Sequence, residues 1–164
     1  MGRKPVIAVV GTSHESEPAV SNARELGRLI ALQGWVLTTG GCDAGVMKAA
    51  SEGAKLTSES LTIGILPDRD AEISADVDIA IVTDAGEARN NIIVLSADVV
   101  IACGVDDPGT ASEVSLAIKA GKPVILIAVD YTAREFFTRI GGKTIQFVDL
   151  PSDAIQSALL LIGS

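Results

Sequence analysis

The chain has 164 residues, 48% of them hydrophobic but only 3% aromatic, which suits one domain with a single aliphatic core. Its formal charge is −8, from 13 basic and 21 acidic residues with no Lys/Arg cluster, so a phosphate backbone is repelled and no nucleic-acid partner is expected. No stretch approaches the roughly 18 apolar residues of a membrane span, and Cys42 and Cys103 fit neither a disulfide framework nor zinc-ligand spacing, so a soluble cytoplasmic protein with reduced thiols is expected.

The start, MGRKPVIAVVG, sets two basic residues before an apolar run, but no small-residue cleavage site follows. Residues 5–10 are therefore read as a buried first strand. The loop GTSHESEP (11–18) opens a helix over 18–33, where Val20, Ala23, Leu26, Leu29 and Ile30 fall on one face and Arg24 and Arg28 lie off it. A second strand, 35–39, starts at Trp35, read as packing, and ends in GGCDAG (40–45), which leads into another helix. Strands follow at 61–66 and 79–83, separated by the acidic stretch PDRDAEISADVD (67–78), expected to be a mobile loop. After EARNN, the segment IIVLSA reads as a helix and 98–103 as a fifth strand. The loop CGVDDPGT (103–110) turns into a helix over 109–120, with Val114, Ala117 and Ile118 on its apolar face. Strands at 123–128 and 144–148 follow, and then a helix over 151–162, started by Pro151 and striped with Ile155, Ala158, Leu159 and Ile162.

Strands that are apolar on both faces and alternate with helices predict the α/β class. The expected architecture is a single doubly wound Rossmann-like domain over 1–164, with a mostly parallel sheet of about seven strands and helices on both faces. In such a sheet a ligand sits outside the carboxyl ends of the strands, where the strand order reverses. The loops expected there are those after strands one, two and five. All three carry glycine and lead into helices, whose starts offer unpaired amides and a partial positive charge. A phosphorylated small molecule is the expected partner. None of the loops matches the dinucleotide Gly-x-Gly-x-x-Gly fingerprint or a P-loop, so NAD and ATP are not indicated.

The candidate ligand residues are Gly11, Thr12 and Ser13 in the first loop, Gly40, Gly41, Gly45, Val46 and Met47 in the second, and Gly104, Gly109 and Thr110 in the third. Thr110 and Glu113 stand at capping-box spacing, which leaves two readings open: a helix start, or a ligand site in which Thr110 meets a phosphate and Glu113 faces the crevice. Arg89 is either a solvated helix-start residue or a bidentate clamp on phosphate. Asn90 and Asn91 beside it either read polar ligand edges or simply begin the helix. Asp106 and Asp107 form a solvated acidic loop or hold Mg²⁺ with the ligand phosphate, and Cys103 is inert core or faces the crevice. His14 is the only histidine and no nucleophile elbow is present; no zinc site is expected either, because soft ligands are too few.

Together, TTGGCDAGVMKAASEGA (38–54), EARNNIIVLSADVVIA (87–102), GTASE (109–113) and AGKPVILI (120–127) resemble the SMF/DprA–LOG superfamily of Rossmann-like proteins. The resemblance covers nearly the whole chain. It is strongest to the branch of molybdenum-cofactor carrier proteins and their bacterial relatives, often labelled lysine decarboxylase-like, although no residue pattern here points to a pyridoxal-phosphate site. The carrier branch implies a cytosolic binding protein that holds the phosphate-bearing pterin of the molybdenum cofactor in the strand-end crevice without turnover. The LONELY GUY branch implies instead a phosphoribohydrolase that splits the N-glycosidic bond of nucleoside monophosphates. Arg89 and Glu113 would match its catalytic pair, the carboxylate supporting an oxocarbenium-like transition state. Its signature, Pro-Gly-Gly-x-Gly-Thr-x-x-Glu, is altered here: Cys103-Gly104-Val105 and then Asp106-Asp107-Pro108 precede Gly109, and the two carboxylates oppose phosphate binding. The binding protein is therefore the preferred reading and the hydrolase the alternative. The superfamily also implies dimers or tetramers, and it has DNA-binding members that the charge of this chain argues against.

Overall fold

Side chains on a β-strand alternate between the two faces of the sheet, so strands apolar at every position must be covered on both sides. The computed structural model, which describes residues 2–163, shows this arrangement. Strands β1 (Val6–Gly11), β2 (Val36–Thr39), β3 (Leu61–Leu66), β4 (Ile79–Val82), β5 (Val99–Cys103), β6 (Val124–Ile127) and β7 (Ile145–Val148) form one sheet in the order β4-β3-β2-β1-β5-β6-β7. Every neighbouring pair is parallel. The helices are α1 (Ala19–Leu32), α2 (Gly45–Lys55), α3 (Arg89–Ser96), α4 (Pro108–Lys119), α5 (Tyr131–Gly141) and α6 (Pro151–Ile162).

The alternation divides the core in two. Ile7, Val9, Leu37, Val99, Ile101, Ile125 and Ile127 point to one face, under α1, α2 and α6. Ala8, Val10, Val100, Ala102, Val124 and Leu126 point to the other, under α3, α4 and α5. The chain runs outward from β1 through β4, returns to the other side of β1 as β5, and runs outward again to β7. The order therefore reverses between β1 and β5, and the crevice expected at a reversal lies at the carboxyl ends of those strands.

Two expectations change. The stretch 67–78 is not a free loop: the amide of Asp43 donates to the Glu72 carbonyl at 2.9 Å and that of Ser74 to the Gly41 carbonyl at 3.0 Å, around an antiparallel bridge between Cys42 and Ile73. The segment thus pins the glycine loop after β2. Coverage also stops at the edge, because every residue of β4 is exposed.

One close approach sets the geometry of the first face. Helices α1 and α2 pack with Gly27 and Gly53 at the contact. A Cβ on Gly27 would lie 1.9 Å from the Ala50 carbonyl oxygen, and one on Gly53 would lie 1.8 Å from that of Arg24. The obstacle in each case is backbone, which cannot step aside as a side chain would. Gly27→Ala and Gly53→Ala should each lower the unfolding free energy by about 1–3 kcal/mol, read from urea or thermal unfolding. Unchanged stability in both would show that the two helices do not meet at these glycines.

Candidate functional site

The site grows from the ends of β1, β2 and β5. Where β1 ends, Gly11 leaves room for Val46: a Cβ on Gly11 would lie 2.7 Å from the Val46 Cγ2. The Thr12 carbonyl accepts from the Val46 amide at 2.9 Å, and the Thr12 hydroxyl accepts from the His14 amide at 3.1 Å. Gly45, at φ +46°, lies so close under this loop that a Cβ would fall 2.2 Å from the Thr12 carbonyl oxygen. Thr12, Gly45 and Val46 thus lock the first two loops together. Gly41, at φ +77°, lies against Gly64 of β3.

Arg89 opens α3, yet it is only 6% exposed. Its Nη1 donates to Oδ1 of the neighbouring Asn90, itself buried, while its buried Nε has no partner among the described residues. Gly40 admits this guanidinium, since a Cβ there would lie 3.1 Å from Nη2 and 2.5 Å from the Met47 sulfur. Of the two readings of Arg89, the solvated one is excluded by its burial. Asn91 is exposed.

The third loop departs from the capping-box reading. Helix α4 starts at Pro108, and its N-cap is Asp107 rather than Thr110. The Asp107 carboxylate accepts from the Thr110 amide at 3.0 Å and from the Thr110 hydroxyl at 2.7 Å. Proline at the first helical position fixes this frame, because its missing N–H costs nothing there. Thr110 is then the third residue of the helix, and Glu113 lies beyond its first turn with no capping role. The helix start is half engaged: Asp107 holds the Thr110 amide, while Gly109 lies on the wall of the cleft.

These pieces enclose a cleft of ≈ 130 Å³. Among the candidates read from the sequence, Gly11, Ser13, Gly40, Met47, Arg89, Asn90, Gly109, Thr110 and Glu113 line it. Thr12, Gly41, Gly45, Val46 and Gly104 do not; the first four shape the loops. Gly104, at φ +74°, lines a smaller neighbouring hollow together with Asp106, and its amide donates to the Ile127 carbonyl at 3.0 Å. The cleft also includes Val9, Val10 and Glu87, which the sequence reading did not place there, and Asp107, whose place it left open. Asp107 therefore faces the cleft and Asp106 the hollow beside it. Cys103 is core, and burial pushes its thiol up to about 12, so it stays protonated. No group of three or more His, Cys, Asp or Glu among the described residues is arranged to hold a metal ion.

Glu113 is 8% exposed and makes no hydrogen bond or salt bridge among the described residues. Burial pushes its carboxyl up to about 8; Arg89 pulls it down, and Asp107 and Glu87 push it further up. The neutral acid is thus the main form at pH 7. The folded protein retains a proton that the unfolded chain releases near the ordinary carboxylate value of 4.5, so this residue makes stability fall as pH rises from about 4.5 to about 8. Relative to Glu113→Gln, the wild type should lose about 1.4 kcal/mol of unfolding free energy per pH unit within that window, measured by urea unfolding at several pH values. Parallel profiles for the two proteins would mean that Glu113 ionises as it does in water.

Comparison with known proteins bears on the chain as a whole. The SLOG cluster4 family model matches residues 4–155. The molybdenum cofactor binding protein of the phototrophic bacterium Rippkaea orientalis is 49% identical, with a TM-score of 0.93 over 98% of each chain. The molybdenum cofactor carrier protein of Chlamydomonas reinhardtii is 44% identical, with a TM-score of 0.91 over 98% of this chain and 100% of that one. An uncharacterised protein of Archaeoglobus fulgidus is 42% identical over 118 residues, 72% of this chain and 76% of its own length. With one family model spanning nearly all of its strands and helices, the chain belongs to the SLOG cluster4 family.

Proposed function

We propose that this chain is a molybdenum-cofactor carrier, which binds the phosphate-bearing pterin cofactor as cargo in the cleft between β1 and β5. The observation that carries this reading is the Arg89 guanidinium: buried on the cleft wall, held by a neutral amide, and with its Nε unpartnered. A buried cation without a carboxylate is costly, and an anionic ligand supplies the missing charge and acceptors. Gly109, on the cleft wall in the first turn of α4, is proposed to add an amide donor from the helix start. Similarity to the molybdenum cofactor binding protein of Rippkaea and to the carrier protein of Chlamydomonas supports this choice of cargo.

The alternative, a phosphoribohydrolase, draws on Arg89 and Glu113 sharing one cleft. Two features weigh against it. Asp107 puts a carboxylate at the α4 start, where the hydrolase signature has glycine. Moreover, Glu113 is mainly neutral at pH 7 in the free protein, and only its ionised form would support a developing oxocarbenium charge. No helix among the described residues is long and apolar enough to cross a membrane, and the carrier is proposed to act in the cytoplasm.

Self-association is also proposed. Ile79, Ile81 and Val82 of the edge strand are exposed large hydrophobics, as are Ile92 and Leu95 of α3, the helix that carries Arg89. An unpaired edge strand is a template for pairing with another chain, and exposed apolar surface marks an interaction face. Sedimentation equilibrium should give a dimer or tetramer, and Ile81→Asp with Leu95→Asp should shift it toward monomer. A monomeric wild type would remove this part of the proposal.

Titrated with molybdenum cofactor, the wild type should bind and melt higher, by about 2.7 kcal/mol of added stability at 100 times the dissociation constant. Arg89→Ala should weaken binding at least about tenfold without unfolding the protein. Binding that is absent in the wild type, or unaffected by Arg89→Ala, would contradict the assignment. Given nucleoside 5′-monophosphates, the wild type should release no ribose 5-phosphate. Release that disappears in Glu113→Ala would move the assignment to the hydrolase.

A further inference from the structure

The carrier reading gives Arg89 a role and leaves Glu113 without one. Glu113 is the other ionisable side chain buried in the cleft wall without a hydrogen bond among the described residues. It does not pair with Arg89, whose Nη1 is turned to Asn90. It does not cap α4, because Asp107 does. The remaining carboxylates at the cleft are not equivalent: both Asp107 oxygens are taken by Thr110, and Glu87 is exposed on the turn before α3. One cleft thus holds a guanidinium whose Nε lacks an acceptor and a carboxyl lacking a donor, with no ion pair between them. The complementary ligand carries an anion at one end and a pair of N–H donors at the other.

We infer that Glu113 is the specificity residue of this cleft, accepting from the ring N–H and the exocyclic amine of a 2-amino-4-oxopyrimidine edge, as in a pterin. This rests on the carrier reading for the pterin and adds which end of it is read, and by which side chain. Two adjacent N–H groups match the two oxygens of one ionised carboxylate. Ligand binding therefore favours the ionised form of Glu113, and the proton it holds in the free protein leaves on binding. Arg89 on α3, Asp107 at the α4 start and Glu87 on the preceding turn are the charged groups that face it, and Arg89 is the one that favours ionisation.

The probes are 6-carboxypterin and 6-carboxylumazine, which differ in having an amine or an oxygen at ring position 2. The oxygen turns one donor into an acceptor facing the carboxylate, and a site built for a donor rejects such an analogue. By calorimetry, the wild type should bind the pterin at least about tenfold more tightly than the lumazine, and Glu113→Gln should bring the ratio close to one. In buffers of different ionisation enthalpy, the wild type should release a proton, approaching one per pterin bound at pH 7; this readout needs no variant. Equal or absent binding of the two compounds by the wild type, a ratio retained in Glu113→Gln, or the lack of proton release would each overturn the inference. Molybdenum cofactor titrated into the same preparation separates the two ideas. If it binds while the pterin and lumazine do not differ, only the role of Glu113 falls; if it does not bind, the carrier reading falls.

Discussion

A guanidinium taken out of water with only a neutral amide for company is the constraint around which the carboxyl edge of this sheet is arranged. Arg89 is placed by the first turn of α3, and Gly40 gives it room, because any side chain there would collide with the guanidinium and with Met47. Gly40 is held in turn by a loop that the segment 67–78 clamps from outside. The charge of Arg89 also restrains how far burial raises Glu113, so the two side chains are coupled through the cleft without touching. A buried cation without a counter-charge is destabilising unless something completes it, and on this ground the cleft is proposed to take an anionic ligand.

The same edge shows how a phosphate-binding design can be retuned by one residue. In a glycine-rich strand-to-helix turn, the first amides of the helix are the anion handle. Here Asp107 takes the Thr110 amide and hydroxyl for itself, which stabilises α4 but places negative charge where a phosphate would otherwise sit. In the proposed carrier the anion handle passes to the Arg89 side chain on the same cleft wall. On the proposed reading, the altered loop favours binding over the hydrolytic use of the same scaffold.

Much of this was legible in the sequence. Alternating β-branched runs and helical stripes gave the parallel sheet, and the order of elements gave the edge where the loops after β1, β2 and β5 meet. Positions that are glycine for packing and glycine for a ligand look alike in a sequence. Gly41 and Gly45 were read with Gly40, although a φ of +77° at Gly41 and the approach of the Thr12 carbonyl to Gly45 account for them. The helix frame at Asp107-Pro108 was misread because threonine and aspartate are both good caps, and the proline was the signal that separates them. Val9 and Val10 carry no signal at all, since they line the cleft only through their place at the end of β1. Helix α5 was not read because only Phe137 and Gly141 on it are buried, too few for a stripe. The exposure of β4 depends on its place at the edge, which no single segment encodes.

The most direct test of the central claim is a crystal structure of the protein with molybdenum cofactor, with an anomalous difference map collected at the molybdenum edge. The account predicts a molybdenum peak in the cleft between β1 and β5 and an anionic group of the cofactor on Arg89. A peak elsewhere on the molecule, with Arg89 still bonded only to Asn90, would contradict it.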